Sequence, residues 1–238
     1  MSRQAVVLAG GLAQRMLPDT EIVPKFLLSV AGRPFGLWLL ERLRAHGYDE
    51  VVLCTGHLGE PIEAAIGDGR TLGLRVIHSN EGAVRLGTAG ALRHALEWLA
   101  PTFLVTYGDA FLPFDYRAPL ADLEVHADHA LGTMAVYKNE GRFDASNTAI
   151  SGERVARYEK GVADAALDHI DYGAMALKRE VIEALAAGSV ACLSTLQHEL
   201  AAAGELRAFV ATERFYEIGS KAGRASLDAA LRSGAIRP

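Results

Sequence analysis

Short apolar runs that alternate with helix-spaced segments constrain this chain more than any other feature. Ala5-Val6-Val7-Leu8 is a continuous apolar run that passes at once into Ala9-Gly10-Gly11, the pattern of a buried strand closing in a glycine turn. Residues 34–46 place Leu37, Leu40, Leu43 and Arg44 at helical spacing, and Gly47 stops them. A second strand is predicted over Glu50–Thr55, a short helix over Gly59–Ile66, and a third strand over 74–78. A helix follows over 88–99, then a fourth strand over 103–105 that breaks at Tyr107-Gly108-Asp109. Continuous apolar strands separated by helices imply a parallel sheet covered on both faces, and so an α/β fold.

The second half is less regular. Strands are predicted over 130–137, 155–159 and 172–177, and helices over 179–187 and 193–203. Phe209-Val210 and Phe215-Tyr216 read as short strands, 221–231 as a closing helix, and 139–152 as a polar, turn-rich stretch. His126 and His129, with Asp122 and Asp128 nearby, are too loosely spaced for a metal site and read as a solvated loop. No repeat or linker divides the chain. One domain is expected, with a nucleotide-binding half over about 1–115 and a substrate-binding half over about 116–238 that share a sheet.

Composition narrows the partners. A net charge of -5 without runs of like charge argues against a nucleic-acid binder. Two cysteines, Cys54 and Cys192, make no disulfide framework and fit a reducing compartment. No apolar run reaches the ~18 residues of a membrane span. Met1-Ser2-Arg3-Gln4 leads into the first strand without a cleavage-site pattern, so a cytoplasmic protein without a membrane partner is expected.

Three places carry chemistry. In Leu8-Ala9-Gly10-Gly11-Leu12-Ala13-Gln14-Arg15-Met16 the glycines let backbone N–H groups approach an anion, and Arg15 adds a planar cationic fork. The stretch lacks the later glycines of a dinucleotide loop and the Gly-Lys-Ser/Thr ending of a Walker loop. Pro24-Lys25, about ten residues on, returns a lysine that beside Arg15 would complete a triphosphate clamp. Alone, the glycine turn is equally well structural and Lys25 equally well a solvated loop residue. Leu86-Gly87-Thr88-Ala89-Gly90 opens a helix. Its glycines suit a flat base lying on backbone, with amides and Thr88 free for the base edge, or else Thr88 is a plain N-cap. Asp109 ends a strand where open α/β sheets bind ligands; it suits a hard divalent cation with phosphate oxygens, or caps the turn that follows.

In these segments the chain resembles the sugar-1-phosphate nucleotidyltransferases, or nucleoside-diphosphate-sugar pyrophosphorylases. The family's L-A-G-G-x-G-x-R-[LM] loop is similar to residues 8–16, its P-K-P lysine to Lys25, and its V-x-G-[KR]-P segment to Val30-Ala31-Gly32-Arg33-Pro34. Its base loop resembles Gly87-Thr88-Ala89-Gly90 and its metal-binding G-D resembles Gly108-Asp109. Tyr158-Glu159-Lys160 resembles its sugar-phosphate segment, Asp171-Tyr172-Gly173 its N-x-G, and Glu217-Ile218-Gly219 its D-I-G. The likeness runs in order from residue 5 to about 225. Ala13, Gln14 and Glu217 depart from the family pattern.

The resemblance implies a glycosyltransferase-A-like nucleotidyltransferase fold, Rossmann-like with a mixed, mainly parallel sheet; the β-helix extension of many relatives is not expected in a sequence that stops at Pro238. It implies transfer of a nucleotidyl group from an NTP to a sugar 1-phosphate with Mg²⁺. Arg15 and Lys25 are then catalytic, and Leu8, Ala9, Gly10, Gly11, Gly87, Thr88 and Gly108 bind the nucleotide. Glu159, Lys160, Asp171 and Gly173 bind the sugar phosphate, and Asp109 and Glu217 hold the metal. Within the family the short mannose and D-glycero-D-manno-heptose 1-phosphate guanylyltransferases look most similar, so GTP and a capsule or polysaccharide role are expected; a homodimer is left open. A cytidylyltransferase with another phosphorylated acceptor and a nucleotide-sugar-binding regulatory protein are the competing readings. A dinucleotide oxidoreductase lacks its third glycine and acidic ribose ligand.

Overall fold

β1 (Gln4–Leu8) forms because the apolar run Ala5-Val6-Val7-Leu8 precedes a glycine turn, and its first four residues, Gln4 included, are buried. The computed structural model describes residues 3–11, 16, 20–139 and 141–236. β2 (Ser29–Val30), β3 (Arg33–Pro34), α1 (Phe35–Ala45), β4 (Glu50–Thr55), α2 (Gly59–Ile66) and β5 (Arg75–Asn80) follow. Then come α3 (Gly87–His94), β6 (Thr102–Tyr107), β7 (Ala110–Phe111), α4 (Ala118–Val125), β8 (Gly132–Lys138), β9 (Thr148–Ser151) and β10 (Arg154–Tyr158). The chain continues with β11 (His169–Lys178), α5 (Arg179–Glu183), α6 (Leu193–Ala202), β12 (Leu206–Ala211), β13 (Tyr216–Glu217) and α7 (Lys221–Arg232).

These elements gather into two units, each built from separated stretches of chain. The first comprises Met1–Arg85, Thr106–Pro113 and Phe215–Pro238, and the second Leu86–Val105 and Phe114–Arg214. β6 begins in the second unit and its last two residues belong to the first.

In the first unit β1 pairs parallel with β4, and β4 parallel with β5. Val6, Val7, Val51, Val52 and Leu53 are wholly buried, as strands covered on both faces require. Pro34 precedes α1, where its fixed φ is helix-compatible, and the turn after the helix uses Gly47 at φ +79°. α7 is capped by Ser220, whose hydroxyl accepts from the Gly223 amide at 3.0 Å. Asp228 on α7 accepts from the Ala31 amide at 2.6 Å, which ties the helix to the β2–β3 turn.

In the second unit β8 pairs parallel with β12 and antiparallel with β11, and β10 pairs antiparallel with β12 and β9. The fold is α/β with a mixed sheet; its parallel character is strongest in the first unit. Phe114 packs on Tyr116 and Tyr172, both at 5.0 Å between ring centroids.

Three stretches differ from the expectation. The polar stretch 139–152 contains β9, an antiparallel strand with one buried residue in four. The helix expected over 88–99 ends at His94 and gives way to a 3₁₀ turn, Leu96–Trp98. Asp122 does not lie in a solvated loop. It sits on α4, where its carboxylate takes two hydrogen bonds from the buried Arg207, at 2.8 and 3.0 Å, and one from Thr133 at 2.8 Å.

Candidate functional site

In the first unit the C-terminal ends of β1 and β6 run against each other. The Gly108 amide donates to the Leu8 carbonyl at 2.8 Å, and the Ala9 amide to the Cys54 carbonyl at the same distance. A Cβ at Gly108 would lie 2.9 Å from the Leu8 oxygen and 3.0 Å from the Ala9 Cβ, so only glycine lets these two ends meet. Gly10 packs against the Thr55–Gly56 backbone, with 3.3 Å left between a built Cβ and the Gly56 nitrogen. Gly11 faces open space and is exposed. Leu12, Ala13, Gln14 and Arg15 lie outside the described residues.

Asp109 follows Gly108 directly. Lys25, at the start of the 3₁₀ turn Lys25–Leu27, places its ammonium 2.8 Å from Asp109 Oδ2. Both side chains are partly exposed, Lys25 16% and Asp109 33%. The Asp109 carbonyl accepts from the Ile218 amide at 2.9 Å, and β13 pairs with β7 so that Glu217 stands opposite Ala110. Glu217 is fixed from behind by α7, because a Cβ on Gly223 would lie 2.4 Å from the Glu217 carbonyl oxygen. The structure therefore brings Leu8, Ala9, Gly10, Gly108, Lys25, Asp109 and Glu217 to the strand ends of one unit.

Among the described residues no group of three or more His, Cys, Asp and Glu side chains forms a metal cluster. Asp109 and Glu217 are backbone neighbours, through the β13–β7 pairing and the Ile218 amide on the Asp109 carbonyl, and each carries a hard carboxylate. Carboxylates are the chemical type of donor that suits Mg²⁺ when substrate phosphates and water supply the remaining oxygens.

In the second unit the Gly87–Gly90 segment has tight neighbours. A Cβ on Gly87, at φ +74°, would lie 2.5 Å from the Ala191 carbonyl oxygen, and one on Gly90 2.8 Å from that of Ser189. The Ala89 and Gly90 amides both donate to the Ala191 carbonyl, at 3.0 and 3.1 Å. The expectation that these amides are free for a base edge is corrected here: they tie α3 to the segment ahead of α6. The Thr88 hydroxyl accepts from the Leu193 amide at 2.7 Å, capping the first turn of α6 from a distance and keeping its own proton to donate.

The same unit holds the sugar-phosphate candidates. Arg157 forks onto both Glu159 oxygens, at 2.8 and 2.9 Å, and reaches Asp164 at 2.6 Å. This pairing, led by the Arg157 hydrogen bonds, holds the Glu159 carboxyl below the usual carboxylate range. Lys160 is exposed at the edge of a cavity of about 300 Å³, whose walls also include Tyr158, Glu159, Ser194, Thr195 and His198. His198 was not singled out in the sequence, because a lone histidine on a helix carries no pattern. Its Nδ1 meets the Tyr158 carbonyl at 2.9 Å. Asp171 begins a bulge in β11: one oxygen accepts from the Gly173 amide at 2.9 Å, the other from Gln197 Nε2 at 2.8 Å, and Gly173 turns at φ +100°. Burial pushes the Asp171 carboxyl above its usual range.

Glycine turns and carboxylates at the ends of parallel strands are the furniture of nucleotide-binding α/β proteins. The chain belongs to the MobA-like NTP transferase domain family, whose profile matches residues 5–218. It is 37% identical over 137 residues to an N-acetylmuramate alpha-1-phosphate uridylyltransferase of Neisseria meningitidis, covering 57% of this chain and 59% of the relative. It is 31% identical to a mannose-1-phosphate guanylyltransferase of Mycobacterium tuberculosis over 77% of this chain and 51% of the relative. The chain thus spans about half the length of the curated relatives it matches. The crystal structure of HddC from Yersinia pseudotuberculosis superposes with a TM-score of 0.78 at 23% identity, covering 95% of this chain and 98% of the other. The inositol-1-phosphate CTP transferase of T. maritima superposes with a TM-score of 0.76 at 19% identity, covering 100% and 98%. These likenesses establish the nucleotidyltransferase fold, of the glycosyltransferase-A-like type. No helix among the described residues is long and apolar enough to cross a membrane.

Proposed function

We propose that the protein transfers a nucleotidyl group from a nucleoside triphosphate, GTP by preference, to a sugar 1-phosphate of the mannose or heptose type, releasing pyrophosphate. One observation carries the reading: Lys25 stands on Asp109 at a glycine-bearing strand end, with Glu217 beside it. One cation and two carboxylate-bearing residues at that strand end support the reading of a site for a triphosphate and a metal.

The phosphate of the sugar attacks the α-phosphorus, an O–P bond forms, and the bond to the pyrophosphate breaks. No general base is needed, because a phosphate monoester is already ionised at pH 7. The protein's part is positioning and charge neutralisation. Lys25 meets the charge that grows at the α-phosphate, and Arg15 is assigned to the departing phosphates. Asp109 and Glu217 would hold Mg²⁺, which when bound neutralises phosphate charge. Lys160 anchors the sugar phosphate, with Glu159 and Asp171 facing its hydroxyls.

The choice of GTP rests on the resemblance of the Gly87–Gly90 segment and on the guanylyltransferases among the relatives. UTP is the second reading, favoured by the uridylyltransferase at 37% identity. Pyrophosphate release measured across four NTPs and a panel of sugar 1-phosphates tests both. Mg²⁺-dependent release with GTP and a mannose or heptose 1-phosphate is expected. Background release with every pair overturns the enzyme, and a clear preference for UTP or CTP overturns the base.

A further inference from the structure

The cavity of about 300 Å³ in the second unit has two walls of different origin. The chain leaving β10 supplies Tyr158, Glu159 and Lys160, and the first turns of α6 supply Ser194, Thr195 and His198. The family resemblance reaches the first wall only, and none of its motifs falls on α6.

His198 is held by the facing wall. Its Nδ1 lies 2.9 Å from the Tyr158 carbonyl oxygen, which can only accept, so Nδ1 carries the hydrogen. Nε2 is then the ring atom left to meet a ligand. It is a lone pair in the neutral imidazole and an N–H donor once a second proton has come from water. Hydrogen bonds from Arg157, at 2.8 and 2.9 Å, and then the charge of His198 hold the Glu159 carboxyl low, so His198 and Glu159 attract. Lys160 and the Tyr158 phenol are the other titratable groups of the walls, and burial keeps the phenol protonated. α3 and β12 also pack on α6, and among the described residues they place no charged side chain in the cavity. With Glu159 offset by Arg157, the walls present an ammonium, two hydroxyls and an imidazole, all able to donate.

We propose that His198 is a second anchor for the phosphate of the sugar 1-phosphate. Its imidazolium donates from Nε2 to a phosphate oxygen, Lys160 meets the same group from the β10 side, and the Ser194 and Thr195 hydroxyls complete the seat. The proposal rests on the nucleotidyltransferase reading above and deepens it. A phosphate monoester near pH 7 carries close to two negative charges and several strong acceptor oxygens. Two cations from two elements match that charge. A lysine alone is a point charge that does not fix the orientation of the group, and a neutral sugar hydroxyl calls for no second cation.

The test compares wild type with His198→Asn and His198→Gln. Asparagine keeps an N–H donor where Nδ1 stood, so the contact with Tyr158 survives and the Nε2 side is lost. Glutamine carries a neutral donor toward the Nε2 position. Calorimetry measures binding of inorganic phosphate, mannose 1-phosphate, glucose 1-phosphate, mannose, GTP and UTP, and long-range ¹⁵N–¹H spectra read the His198 ring. The free ring should be the Nδ1–H tautomer, and saturation with a phosphate-bearing probe should protonate Nε2. His198→Asn should weaken the sugar 1-phosphates about 10–100-fold, the loss of one charge-assisted hydrogen bond, with nucleotide binding within about 2-fold and Tm unchanged. His198→Gln should fall between. The advantage of wild type over His198→Asn should shrink as pH rises and the imidazolium loses its proton. A ring that stays unmoved with all three phosphate probes overturns the proposal. So does a ring that moves equally with mannose, which would make His198 a hydroxyl reader. An asparagine variant that binds the sugar 1-phosphates as wild type does, or weakens the nucleotides alike, overturns it as well. If no pair of substrates supports turnover, the enzyme reading fails, while the spectra and calorimetry still decide the role of His198.

Discussion

The Lys25 ammonium sits 2.8 Å from Asp109 Oδ2, although 84 residues separate the two in the chain. Both are partly exposed, so the pair adds under about 1 kcal/mol to stability. Its value is chemical, since it fixes a cation and a carboxylate at one strand end. Asp109→Asn should lower kcat/KM at least ~100-fold, while the melting curve stays near that of wild type. Pyrophosphate release and a thermal melt on one preparation check this. Near-normal turnover in a folded variant would move the metal site away from Asp109.

Thr88 carries a structural duty that the Gly87–Gly90 sequence pattern does not show. Its hydroxyl accepts the Leu193 amide at 2.7 Å, so Thr88→Val strands an N–H in the first turn of α6. The expected cost is about 1–2 kcal/mol, with Thr88→Ser close to wild type. Urea denaturation of the three proteins measures it. A valine variant as stable as wild type would show that the cap contributes nothing.

Asp122 should mark the acid limb of stability. Burial pushes its carboxyl up, but hydrogen bonds from Arg207 and Thr133 outweigh this and leave it below its usual range. A depressed carboxyl stabilises the fold fully above the unfolded-state value of about 3.9, and the contribution is lost as pH falls through the folded-state value. Wild type should therefore lose stability below about pH 4. Asp122→Asn should be less stable at pH 7 and show a flatter acid limb. Parallel acid limbs in the two proteins would remove Asp122 from the account.

The cysteines should separate by reactivity. Burial, with the Glu81 charge adding to it, pushes the Cys54 thiol up to about 12, whereas Cys192 is exposed. At pH 8 a thiol reagent should titrate one cysteine quickly in the folded protein and the second only on unfolding. Two fast equivalents would mean that the end of β4 opens readily.

Much of the first unit was legible because apolar runs there are punctuated by glycine. β4 and α2 occupy the predicted residues, since Glu50–Thr55 is a pure strand pattern and Gly59–Ile66 sits between turns. α4 was missed because Leu120 and Leu123 alone mark its buried face beside Pro119, too few to show a period. β9 was missed because a strand with one buried residue looks like a loop. Glycines were legible as glycines but not as to purpose. Gly87 and Gly90 read as room for a base, yet their near neighbours are the carbonyls of Ala191 and Ser189. The Lys25–Asp109 pair depends on strand order, which local spacing does not encode.

Arg157 stands behind the proposed sugar-phosphate residues. Its guanidinium donates to both Glu159 oxygens and to Asp164, so the orientation of Glu159 depends on a planar fork. Glu159 and Lys160 line one cavity, so turning Glu159 alters the wall that a sugar would meet. Arg157→Leu should raise KM for the sugar 1-phosphate about 3–10-fold, leaving KM for the nucleotide and kcat nearly unchanged, because remote positioning acts on binding. Arg157→Lys should rescue little, since a lysine carries the charge but cannot fork. The pH profile adds a second readout. The Glu159 carboxyl, released from Arg157, returns toward its ordinary range, so the acid-side rise in sugar KM should begin at higher pH in the variant. Equal changes in both substrates' KM values, or full rescue by lysine, would make Arg157 a general surface charge.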